Sequence, residues 1–126
     1  MWYKMKTKQP RKHRKKMRAG KLHIARKNVG AHLSKTLHEK YQTRSLAIHA
    51  GDNVKIVRGK FAGKTGKVET VELKKTRIFI EGIQVSKADG TKAKVSIHPS
   101  NLIITDLNLD DKLRKKLIER KRGEKK

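Results

Sequence analysis

Positive charge is distributed so unevenly along this chain that it decides how much of the chain can fold alone. Residues 1–50 carry fifteen Lys and Arg against the single acid Glu39. Residues 51–104 carry eleven against five, and residues 105–126 nine against five. A net charge of +24 over 126 residues makes a compact state repel itself unless a polyanion lies against it. Within the first stretch, Lys4 to Lys27 offers hardly an apolar side chain at helical or strand spacing. That is too little buried surface to offset chain entropy. Residues 1–32 are therefore expected to form a basic, largely extended arm, with nucleic acid as partner.

The hydrophobic fraction is 34%, which suits one domain with a thin core. No run approaches the roughly 18 apolar residues of a membrane span, and the longest clusters are pieces such as Leu102-Ile103-Ile104. Membrane insertion is not expected. The basic start is followed by no apolar stretch of a secretory signal, and the chain has no cysteine for a disulfide framework. An intracellular protein is expected.

After the arm, Leu33, Leu37 and Tyr41 fall at i, i+4 and i+8, Ser34 or Thr36 can cap, and Glu39 lies three residues after Thr36. Residues 33–50 are expected to be a short helix and linker. From Gly51 the period becomes two: Val54 and Ile56, Val68 and Thr70, Ile78 and Ile80, Ile83 and Val85, Val95 and Ile97. Turn chemistry separates these pieces: Gly59, Gly63 and Gly66, then Lys74-Lys75, Ala88-Asp89-Gly90 and Pro99-Ser100-Asn101. About five short strands at this spacing predict a small, mainly β barrel over residues 51–104, closed so that no edge is exposed. Residues 105–126 return to helical spacing with Leu109, Leu113, Leu117 and Ile118. Asp110 and Asp111 at the start and Arg120, Lys121 and Arg122 at the end match a helix dipole, predicting a C-terminal helix and basic tail.

Gly59, Gly63, Lys64 and Thr65 invite comparison with a phosphate-binding loop. That pattern needs a glycine five residues before Gly63, where Arg58 stands, and a following helix where KVETVEL alternates like a strand. A tight turn between strands with positive φ is the better reading. His13, His23, His32, His38, His49 and His98 have no compact ligand spacing, so no metal site is expected. Asp52, Glu69, Glu72, Glu81 and Asp89 are dispersed and supply no acid–base pair. Trp2, Tyr3, Tyr41, Phe61 and Phe79 are too few for a stacking platform, though Phe61 in the glycine loop can either touch a base or pack. No catalytic residue, cofactor or small-molecule substrate is expected.

The residues that do carry a function are the cations. In the arm they are Lys6, Lys8, Arg11, Lys12, His13, Arg14, Lys15, Lys16, Arg18, Lys21, His23, Arg26 and Lys27. Their flexible side chains track phosphates and release counterions, and the arginines offer forked donors to phosphate pairs or stack on unpaired bases. Arg58, Lys60, Lys64 and Lys67 surround the glycine turn formed by Gly59, Gly63 and Gly66, where missing side chains let RNA backbone approach. Arg44, Lys74, Lys75 and Arg77 complete the set of expected RNA contacts. For any one of them the plainer reading is a solvated surface charge.

GDNVKIVRGKFAGKTGKVETV resembles a KOW motif, with Val54, Ile56 and Val57 followed by Arg58-Gly59, Gly63, Gly66 and Val68. The resemblance runs on through IFIEGIQV, Ala88-Asp89-Gly90-Thr91 and Ser96-Ile97-His98-Pro99-Ser100-Asn101-Leu102. This is similar to the universal KOW-containing L-twenty-four family of the large ribosomal subunit. Leu33-Ser34-Lys35, Lys40-Tyr41, Arg44-Ser45 and the basic Leu113-to-Arg122 segment resemble its archaeal and eukaryotic branch, called L-twenty-six in eukaryotes. The likeness covers nearly all of the chain after Arg11.

The resemblance implies an SH3-like barrel that binds the 5′ region of large-subunit ribosomal RNA, helps begin subunit assembly and lies near the tunnel exit. It implies neighbouring ribosomal proteins as partners, a ribosome-bound cytoplasmic location and no catalysis. Bacterial members carry a longer hairpin between the segments corresponding to Ile83-Gln84-Val85 and Val95-Ser96-Ile97, where this chain has a tight Asp89-Gly90 turn. The rival reading, a KOW-type transcription or chromatin factor, usually pairs the barrel with a second folded domain, for which nothing else here is long enough. A cationic membrane peptide would need an apolar helix face that the arm lacks.

Overall fold

The structure is a computed structural model that describes residues 8–123, the side chains of residues 16–18 excepted. Twelve elements follow in order: α1 (Pro10–Ala19), α2 (Leu22–Asn28), β1 (Gly30–Leu33), α3 (Lys35–Tyr41), β2 (Ser45–Ala47), β3 (Asn53–Ile56), β4 (Thr65–Glu72), β5 (Arg77–Ser86), β6 (Lys92–Ile97), a 3-10 turn (Pro99–Asn101), β7 (Leu102–Asp106) and α4 (Lys112–Gly123). The fold is mainly β: one seven-stranded sheet in the order β2-β1-β7-β3-β4-β5-β6, with helices around it. Every neighbouring pair is antiparallel except β1 with β7. Among the described residues no pairing joins β6 to β7, as closure of the barrel expected over residues 51–104 requires, or to β2, so the sheet is open where a closed barrel was expected.

Helices stand where an extended arm was expected. Pro10 sits in the first turn of α1 with its φ already set for a helix. From Lys8 to Ala19 there is neither glycine nor a β-branched residue, and Lys and Arg favour helix nearly as well as alanine. Gly20 ends the run. Helix α2 is tied to the body by Ala25, which is buried, and the chain then enters the core at Val29. Leu33, expected at the start of a helix, instead ends strand β1, and α3 begins after Ser34. The Ser34 hydroxyl caps α3 by accepting the Leu37 N–H.

The core is almost wholly aliphatic, with Val54, Ile78 and Ile104 fully enclosed and Leu102, Ile56 and Val29 nearly so. The two-residue period breaks at identifiable points. In β5, Ile80 and Ile83 are both buried although they lie three apart. Between them Gly82 adopts φ +77°, and the register against β6 shifts over the same stretch. Five steps along β5 from Phe79 to Gln84 oppose two along β6 from Ser96 to Lys94, so a bulged stretch adds three residues to β5 and, the number being odd, turns the strand over. A second shift lies between Val68 and Thr70 in β4, which leaves Thr70 exposed while Val68 is buried.

Helix α4 does not use the leucine face that its sequence advertises. Leu113 is 73% exposed and Leu117 43%, whereas Arg114 and Ile118 are buried. Asp111 sits just before the helix and accepts the Leu113 N–H, in place of an acidic first turn. The Arg114 guanidinium meets Asp52, itself completely buried, through Nη1 to Oδ1 at 2.6 Å and Nη2 to Oδ2 at 2.7 Å. Nη1 also donates to Asn108 O and Nη2 to Ala47 O. Further along the helix, Lys121 Nζ donates to Ser45 O. Leu33 N–H donates to Arg44 O and Ile48 N–H to Val29 O, so β1 pairs with β2 through residues 44 and 48. Ser45 and Ala47 therefore turn their carbonyls to the free edge of β2, and α4 covers it with two cations.

Removing the guanidinium with Arg114→Ala leaves a buried, unpaired carboxylate and is expected to cost about 3–5 kcal/mol, measured by urea denaturation. At Gly66 an added Cβ would lie 2.6 Å from Ile80 Cγ2 and 2.9 Å from the Glu81 carbonyl oxygen. Gly66→Ala is therefore expected to destabilise through backbone displacement by about 1–3 kcal/mol. At Gly63, with φ +87° and nothing within 4 Å, Gly63→Ala carries only the left-handed backbone cost, on the order of 1 kcal/mol. Equal losses in thermal melts of the two variants would contradict this assignment.

Candidate nucleic-acid interface

Three groups of expected contacts emerge from the fold. On α1, Arg11, Arg14 and Lys15 lie at i, i+3 and i+4, on one side of the helix, and with Ala19 they line a shallow concavity. Lys8, Lys12, His13, Lys21, His23, Arg26 and Lys27 are likewise exposed. Lys6 lies outside the described residues, as do Trp2 and Tyr3, and the Lys16 and Arg18 side chains are not described.

The second group is the glycine loop between β3 and β4. Gly63 N–H donates to Ile56 O, Ile56 N–H to Lys64 O and Ala62 N–H to Gly59 O, which closes the loop tightly. Gly59 (φ +97°) and Gly63 supply the left-handed turns this closure requires. Strand β4, not a helix, follows Lys64, so no helix N-terminus faces the loop. Arg58, Lys60, Lys64 and Lys67 are exposed around it. Phe61 packs partly buried against the core, with the Lys64 ammonium 5.3 Å from its ring centroid. Val57 N–H donates to Asn101 O, which brings the 3-10 turn alongside. There His98 Nδ1 accepts the Ser100 N–H and pairs with the Ser100 hydroxyl at 2.8 Å, so His98 pins that turn.

The third group gathers at the other end of β4, about 25 Å along the strand from the glycine loop. Lys74 and Lys75 form the β4–β5 turn and Arg77 begins β5. All three are exposed, and Lys75 pairs with Glu72 at 3.0 Å. Val71 and Leu73 from this end face Arg26, Val29, Ile48, His49 and Ala50 across an open groove of about 410 Å³. Arg44, between α3 and β2, is exposed.

His49 is the group that the sequence did not flag. It lies 23 residues from Arg26, whose Nη2 donates to His49 Nε2 at 3.1 Å. A guanidinium has no acceptor, so this geometry assigns His49 as neutral with its proton on Nδ1. Burial lowers its pKa below the ordinary 6.5, and the Arg114 and Arg26 charges lower it further against the opposing pull of Asp52 and Asp111. Among the described residues no group of three His, Asp or Glu is placed to hold a metal ion, and no helix is long and apolar enough to cross a membrane.

The distribution of acids matters as much as that of cations. Among the described residues the ion pairs are Lys75–Glu72, Lys94–Glu69 and Arg114–Asp52. None of the described arm or glycine-loop cations is neutralised by a carboxylate, so their charge faces outward.

The sequence model of the family of ribosomal proteins L26 of eukaryotes and their archaeal L24 counterparts matches residues 7–121. The "Large ribosomal subunit protein uL24" of Methanosphaera stadtmanae is 44% identical over 115 residues, which span 91% of this chain and 98% of that protein.

Because the folded state resists protonation of His49, the unfolded chain binds more protons below about pH 6.5. The resulting stability is present in full above that pH and is lost as pH falls towards the lowered folded value. His49→Gln is expected to flatten the pH dependence of the urea midpoint between about pH 7 and about pH 5. An unchanged slope in that variant would remove His49 as its source.

Proposed function

Since the chain belongs to this family of large-subunit ribosomal proteins, we propose that it is a structural, non-catalytic constituent of the large subunit that binds ribosomal RNA. The observation that carries this reading is the outward, unneutralised charge of the described cations of α1, α2 and the glycine loop, on a body where the one buried cation among the described residues is satisfied internally. Phosphates of folded RNA supply the counter-charge, and the cations release condensed counterions as they meet them.

Within that reading, β3 to β7 are the KOW module, taken as the family's SH3-like barrel. Arg58, Lys60, Lys64 and Lys67 meet RNA backbone at the glycine loop. Lys6, Lys8, Arg11, Lys12, His13, Arg14, Lys15, Lys16, Arg18, Lys21, His23, Arg26 and Lys27 form the arm contact, and Arg44, Lys74, Lys75 and Arg77 add to it. The RNA is the 5′ region of the large-subunit molecule, bound early in assembly near the tunnel exit, with neighbouring ribosomal proteins as further partners. The protein then resides on cytoplasmic ribosomes.

The experiment is co-sedimentation of tagged protein with large subunits through sucrose after high-salt washing. Stoichiometric retention supports the proposal, whereas a light fraction associated with polymerase or DNA refutes it. A deletion of residues 1–20 spares the buried Ala25 and Val29 and is expected to leave a folded body. Its plot of log affinity against log salt should be shallower by roughly 0.7–0.9 for each phosphate that the arm no longer meets. An unaltered slope would remove the arm from the interface.

A further inference from the structure

The groove between α2 and the end of β4 has a chemistry that phosphate tracking does not use. Its walls are aliphatic, with Ile48 on one side and Val71 and Leu73 on the other, and Ala50 lies exposed at its margin. Its polar members are two planar groups, the Arg26 guanidinium and the His49 imidazole, held together by their hydrogen bond. With Nε2 occupied by Arg26, the His49 Nδ1–H is a donor to which the described residues offer no acceptor. Two exposed cations stand next in sequence to lining residues, Lys27 after Arg26 and Lys74 after Leu73. The nearby acids are engaged elsewhere. Asp52 is held by Arg114, Asp111 caps α4, and Glu72 pairs with Lys75.

We propose that this groove receives a single unpaired nucleobase extruded from the bound RNA. The base lies against the aliphatic walls and the planar Arg26 and His49 groups. A carbonyl or ring nitrogen on its edge accepts from His49 Nδ1, and the phosphates on either side meet Lys27 and Lys74. An apolar peptide side chain would satisfy the walls alone, leaving the two cations and the Nδ1–H without partners. Burial and the neighbouring arginines favour the neutral imidazole, the form in which Nε2 accepts from Arg26 while Nδ1 carries the proton. The proposal rests on the RNA-binding reading and adds to it one base-sized specificity site.

The test uses the full chain and two RNA hairpins, identical except that one carries a single unpaired adenosine in its stem. Tighter binding of the bulged hairpin, by roughly tenfold for one sheltered base, is the expected result. Methyl resonances of Ile48, Val71 and Leu73 should move with that hairpin and stay in place with the paired one. Ala50→Leu places bulk at the exposed margin and should abolish the preference. It should leave affinity for the paired hairpin and its salt dependence unchanged, and Leu73→Ser should act in the same direction. Equal affinities with unmoved methyl signals would overturn the groove proposal while salt-dependent binding of both hairpins leaves the RNA reading standing. Failure to bind either hairpin would overturn the RNA reading and this proposal with it.

Discussion

The Asp52–Arg114 pair joins parts of the chain that sequence separates by 62 residues. Arg114 reaches the carboxylate, the Asn108 carbonyl and the Ala47 carbonyl at once. Asp52 in turn accepts from Arg114 and from the backbone N–H groups of His49 and Asn108. Its own main chain pairs with β4, since Val68 N–H donates to Asp52 O. The buried pair therefore fixes the loop into β3, the exit from β7, the seating of α4 and, through Arg114, the free edge of β2. The groove beside His49 inherits its shape from that loop.

Charge elsewhere is handled by exclusion. A core this thin gains its stability from aliphatic burial at about 25 cal/mol per Å², and there is little of it to oppose self-repulsion. The described cations outside α4 are accordingly exposed. Exposed pairs such as Lys75–Glu72 contribute well under 1 kcal/mol each. A polyanionic partner then stabilises the folded body by mass action as well as by ordering the arm. Function and stability draw on the same phosphates.

The strands of the central region are legible because Val54 and Ile56, Ile78 and Ile80, and Ile97 alternate plainly, and because Gly59, Gly63 and Gly90 mark turns that need positive φ. The bulge at Gly82 is not legible, since a glycine inside an alternating run does not say whether it merely weakens the strand or reverses its face. Strands β1 and β2 escape a reading by pattern although Val29, Ala31 and Leu33 alternate. They are only four and three residues long, and Leu33 also fits a helical spacing. The arm reads as extended because it has no apolar face. Helix propensity, which needs no such face, decides the local geometry instead. Of the candidate interface, the cations are legible one by one. The Arg26–His49 contact and the groove are not, since tertiary folding alone creates them.

The least legible feature is the central one, because Arg114 in a run of Lys and Arg looks like one more surface cation, and Asp52 like one more turn acid. A buried ion pair is often replaceable by apolar residues without loss, since desolvation offsets its attraction. Here that exchange would be costly for a reason outside the pair itself. The carboxylate also accepts the His49 and Asn108 N–H groups, and the guanidinium satisfies the carbonyls of Asn108 and Ala47. An apolar substitute would orphan main-chain groups in a buried setting, each at about 1–3 kcal/mol. No buried side-chain polar atom among the described residues lacks a partner, so the network is complete as it stands. A chain dominated by surface cations thus keeps one of them inside, where it closes a sheet edge and orders a loop that aliphatic packing alone would leave unpaired.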